Sequence, residues 1–69
     1  MIEFKDPKKQ LPEPNRQLLL KIESPYTYSE GYIYDGKYFR RYIFEVGEII
    51  TKPVLGWAYI EEFYQQNKG

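Results

Sequence analysis

The chain has 69 residues, with ten basic and ten acidic side chains and neither cysteine nor histidine. That composition excludes disulfide staples and thiolate metal sites, and it lacks the net positive field with which nucleic-acid binders neutralise phosphates. A single domain of this size, spanning 1–69, buries only about 60% of the surface its unfolded chain exposes. Extra packing must therefore come from its eight tyrosines, four phenylalanines and one tryptophan, or from self-association.

In the opening stretch, Ile2 and Phe4 alternate with Glu3 and Lys5, which predicts a short edge strand ending before Pro7. Pro7, Pro12 and Pro14 forbid a helix interior and push the residues before them toward extended geometry, so Leu11-Pro12-Glu13-Pro14 reads as a rigid entry segment beside the first core strand. Arg16 to Ile22 is that strand: Leu18, Leu20 and Ile22 share one face, and Gln17, Leu19 and Lys21 the other. Ser24-Pro25 breaks it.

Eight aromatic residues then fall in the nineteen positions from Tyr26 to Phe44, with Asp35-Gly36 in their midst. An Asp-Gly pair favours the two-residue type I′ turn, which predicts a hairpin with arms at Tyr28–Tyr34 and Lys37–Phe44. In that register Tyr34 faces Lys37, Ile33 faces Tyr38, Tyr32 faces Phe39 and Glu30 pairs with Arg41, unless a bulge at Gly31 shifts it. A second turn is expected at Glu45-Val46-Gly47, then a strand over Glu48–Lys52, the interruption at Pro53, and a final strand over Val54–Tyr59 carrying Trp57. From Tyr59 onward the period changes, and Ile60, Phe63, Tyr64 and Asn67 take the spacing of one face of a short helix.

The expected fold is therefore mainly β, a small antiparallel sheet or partly open barrel of four to five strands with a short C-terminal helix. Its predicted core is Leu18, Leu20, Ile22, Tyr32, Phe39, Ile43, Leu55, Trp57 and Phe63.

Four fragments carry a resemblance: Leu11-Pro12-Glu13-Pro14, Leu18-Leu19-Leu20, Tyr34-Asp35-Gly36-Lys37-Tyr38-Phe39 and Gly56-Trp57-Ala58-Tyr59-Ile60. With them the chain resembles, over about residues 4–60, the domain-of-unknown-function 551 family of small phage and prophage proteins. It departs from that family at Phe4, where tryptophan is common, at Gly56, where histidine is common, and in its ending, Ile60-Glu61-Glu62-Phe63-Tyr64. The resemblance implies a phage, prophage or other mobile-element source and carries no catalytic residues.

Without histidine or cysteine the usual general base and the strongest nucleophile are missing. Ser24, Thr27, Ser29 and Thr51 sit in no nucleophile motif, and Glu61 and Glu62, adjacent on a helix, do not face each other. The acids are too dispersed to converge on a cation. The reading is a non-enzymatic protein with no cofactor or metal. No apolar run approaches the length of a membrane span, and the first residues lack an apolar signal core, so the expected location is the cytoplasm.

The remaining candidate for function is the interleaved basic and aromatic segment Lys37-Tyr38-Phe39-Arg40-Arg41-Tyr42. Alternation puts Tyr38, Arg40 and Tyr42 on one face with Ile33. With Lys37 they form the predicted contact surface, for a second copy of the chain or for a host or phage protein such as a bacterial defence factor. The bland alternative has the C-terminal helix cover this face through Phe63 and Tyr64 and make it core. Two other functions compete: a nucleic-acid accessory role using Lys37, Arg40 and Arg41, and an oligomeric small-ligand or nucleotide-sequestering protein with rings lining a pocket between subunits.

Overall fold

Leu18, Leu20 and Trp57 have no exposed surface, and the sheet is arranged around them. The structure is a computed structural model that describes residues 3–66. Its strands are β1 (Gln17–Ile22), β2 (Ser29–Tyr34), β3 (Phe39–Tyr42), β4 (Val46–Ile49) and β5 (Val54–Tyr59), followed without a loop by α1 (Ile60–Gln66). They form one open antiparallel sheet in the order β4-β3-β2-β1-β5. The mainly β expectation holds, with five strands and the short terminal helix. Among the described residues no helix is long and apolar enough to cross a membrane.

One face of the sheet gathers Leu18 and Leu20 of β1, Tyr32 and Tyr34 of β2 and Trp57 of β5. Ile22, Phe39, Ile50, Val54 and Tyr59 pack around them, half-buried. The proline-rich segment is tied to this face: the Trp57 indole N–H donates to the Gln10 carbonyl at 2.8 Å, and the Glu13 N–H to the Tyr59 hydroxyl at 3.0 Å. Pro12 is buried. The other face also buries residues, namely Leu19, Ile33 and Ala58, and α1 packs on β1 and β5.

Lys5 forms a bridge with Trp57, exchanging backbone hydrogen bonds of 2.8 and 3.0 Å. This is what remains of the expected first strand; Ile2 lies outside the described residues, as does Asn67 at the helix end. A Cβ on Gly56 would stand 3.2 Å from the Phe4 Cβ, so the missing side chain at 56 is what lets Phe4 lie against β5. Ion pairs tie the helix to the segments before β1, Arg16 to Glu61 and Lys5 to Glu62 at 3.8 Å. The Arg16 guanidinium also stacks 3.6 Å from the centre of the Tyr59 ring.

Two predicted core residues are instead exposed, and each has a local cause. Leu55 (44% exposed) is the residue skipped where Ile22 pairs with Val54 and Lys21 with Gly56, so a bulge turns it out of the alternation that Trp57 obeys. Ile43 (64% exposed) falls beyond the end of β3, in the loop to β4. Phe63 is half-buried against the Tyr28 ring, with 6.3 Å between ring centres.

Candidate functional site

Asp35 reshapes the first hairpin. Its Oδ1 accepts the N–H groups of Lys37 (2.8 Å) and Tyr38 (2.7 Å), while its own N–H donates to the Tyr38 carbonyl at 3.0 Å. Aspartate side chains stabilise turns in this way, and the connection becomes four residues, 35–38, instead of two. Tyr34 therefore pairs with Phe39, Ile33 with Arg40 and Tyr32 with Arg41. The register differs from the expected one by two residues, an even number, so the paired residues Tyr32–Tyr34 and Phe39–Arg41 keep their predicted faces. The Gly31 bulge is real but lies toward β1, where Leu18 pairs with Tyr32 and Leu19 with Glu30; its φ of 101° suits glycine.

This register separates the predicted contact residues. Tyr38 and Lys37 sit in the turn, exposed, with the Lys37 ammonium 5.2 Å from the Tyr38 ring centre. Arg40 is half-buried; it forms an ion pair with Asp35 and donates from Nη1 to the Gly47 carbonyl at 3.1 Å, tying β3 to β4. These partners draw the Asp35 carboxyl down to about 2, the Tyr38 N–H foremost, then the Arg40 side chain and the Lys37 N–H. Ile33 is only 3% exposed and offers no contact surface. Tyr42, half-buried, lies at the far end of β3 beside a concavity that it shares with Gln17, Gly31, Ile60 and Tyr64. The five residues thus do not make one patch.

The expected Glu30–Arg41 pair does not form either. Arg41 lies opposite Tyr32, with its guanidinium 5.5 Å from that ring's centre, and Glu30 pairs with Leu19.

A more coherent surface lies at the second hairpin. Phe44 is 94% exposed, and Ile43, Val46 and Ile49 are exposed around it. The whole of β4 is exposed and forms an edge of the sheet. Arg41, Ile43, Phe44, Glu45, Gly47 and Glu48 line a concavity of about 510 Å³ at this hairpin. Among the described residues Arg41, Glu45 and Glu48 form no ion pair. The sequence reading missed this surface because it extended the strand through Phe44 and turned Ile43 inward. The turn expected at Glu45-Val46-Gly47 falls instead at residues 43–45, since Val46 and Gly47 belong to β4, and that shift puts Ile43 and Phe44 in the loop.

Among the described residues no cluster of carboxylates is placed to hold a metal ion. A second concavity of about 360 Å³ lies between Ile22, Tyr32, Arg41, Ile50 and Lys52, with Glu23 and Glu48 at its wall. Its charges are of both signs, and Lys52 is already 3.5 Å from Glu23. No family model, curated protein or solved structure matches the chain, and the short motifs at Leu11–Pro14 and Gly56–Ile60 stand as a likeness alone.

Proposed function

We propose that this protein acts by binding another protein chain through its β3–β4 hairpin, without chemistry of its own. The observation that carries the reading is the fully presented Phe44, with Ile43, Val46 and Ile49 beside it. A small domain that leaves neighbouring large apolar side chains in water gains by covering them, and aromatic and arginine anchors dominate such contacts. Arg41, Glu45 and Glu48, which form no ion pair among the described residues, supply the charged rim that interfaces of this kind carry.

The first hairpin supports a nucleic-acid role less well, because Arg40 is already engaged by Asp35 and Gly47. The resemblance to the small phage proteins favours a phage or host protein as the contact, a second copy of this chain included, with inhibition of a bacterial defence factor as one form of that action. A photo-crosslinking residue at position 44, used in the source cell, tests the reading. It is expected to give a discrete protein adduct that a crosslinker at Tyr38, exposed in the turn at the opposite end of β3, does not give. Adducts to nucleic acid, or none above the position-38 control, would overturn it.

A further inference from the structure

We infer that the chain covering this hairpin is a second copy of the protein, related to the first by a two-fold axis. The inference rests on the hairpin being a contact surface and goes on to name what meets it.

An interface with two-fold symmetry must be its own complement, because the same patch appears on both sides. The hairpin meets that condition in shape. It carries a knob, the Phe44 ring, and a recess of about 510 Å³ beside it. A two-fold operation sends each ring toward the other copy's recess, covering about 150–250 Å² per ring.

It meets the condition in charge as well. Arg41 and the two glutamates line the same recess, and none of the three has an ionic partner in its own chain among the described residues. A patch with both signs becomes complementary to itself when rotated, since Arg41 of one copy then faces Glu45 and Glu48 of the other. The overall charge, ten against ten, puts no long-range repulsion between copies. The other edge of the sheet is partly closed, since Lys5 already pairs with Trp57 of β5.

Sedimentation velocity across a concentration series tests the inference. The wild type is expected to dimerise reversibly. Phe44→Ser should weaken dimerisation about tenfold or more, with an unchanged thermal midpoint at concentrations low enough for the wild type to be monomeric, where this side chain is in water. Arg41→Glu alone, and Glu45→Arg/Glu48→Arg alone, should each be monomeric. An equimolar mixture of those two variants should form a heterodimer, because every reversed contact then meets its opposite. A wild type that stays monomeric overturns the inference, as does a dimer indifferent to Phe44→Ser and to the charge reversals. In the first case the binding reading is judged separately by the position-44 crosslink, which would then have to capture a different protein.

Discussion

Asp35 and Arg40 form an ion pair that joins the first turn of the sheet to β3, and the same carboxylate holds the amides of Lys37 and Tyr38. The turn is built on a charged group and so depends on pH. The folded carboxyl ionises at about 2, against an ordinary value of 3.8. A depressed folded value means that the stabilisation is complete above the ordinary value and is lost as pH falls from there toward 2. NMR titration of the Asp35 side chain should give a midpoint near 2, and the Lys37 and Tyr38 amide signals should move with it. A midpoint at the ordinary value would mean that the carboxylate does not hold the turn.

Two leucines separate the observed core from the one that alternation suggests. Leu20→Ala should cost about 2–5 kcal/mol, the usual range for emptying a fully buried leucine site. Leu55→Ala should fall within about 0.5 kcal/mol of wild type, as substitutions of exposed residues do. Urea denaturation measures both, and equal costs would mean that the bulge opposite Ile22 is misplaced.

Gly31 tests the bulge between β1 and β2. With φ at 101°, Gly31→Ala puts a Cβ into a backbone region L-residues rarely adopt, and 3.4 Å from the Tyr42 carbonyl oxygen. A loss of about 1–3 kcal/mol is expected from such a strained position. An unchanged urea midpoint would show that the chain passes this point in ordinary strand geometry.

Trp57, the only tryptophan, reports directly on the proline-rich cover. It has no exposed surface, and its N–H is held by Gln10. Its fluorescence should be blue-shifted and resistant to acrylamide in the folded protein. Pro12→Ser, which disturbs the buried residue of that cover, should raise the quenching before the sheet unfolds. Free quenching in the wild type would mean that the segment does not lie on this face.

Much of this architecture is legible from alternation alone. Leu18, Leu20 and Leu19 declare the two faces of β1, and the period change at Tyr59 declares the helix. What alternation cannot register is a residue that drops out of it. Leu55 leaves it at a bulge flanked by Pro53 and Gly56, breaker residues that a count of alternate positions passes over. At Asp35, a side chain competes with the backbone for two amides and lengthens the turn, which moves the pairings of Tyr32, Ile33 and Tyr34 by two while leaving their faces intact. The apolar surface of the second hairpin is hidden from alternation for a related reason. Tyr38 and Tyr42 appear equivalent in a strand extended from Lys37 to Phe44, but β3 runs only from Phe39 to Tyr42. That leaves Tyr38 in one turn and Ile43 and Phe44 in the next.

The central claim is that contact is made at the second hairpin and not at the first. The direct comparison is co-purification from the source cell using tagged wild type, Phe44→Ser and Tyr38→Ser, after matched thermal midpoints show all three to be folded. Both positions are exposed, so neither change empties the core. The account predicts that Phe44→Ser loses the protein chains that wild type retains, other copies of itself included, while Tyr38→Ser keeps them. Loss of those chains with Tyr38→Ser and their retention with Phe44→Ser would contradict it.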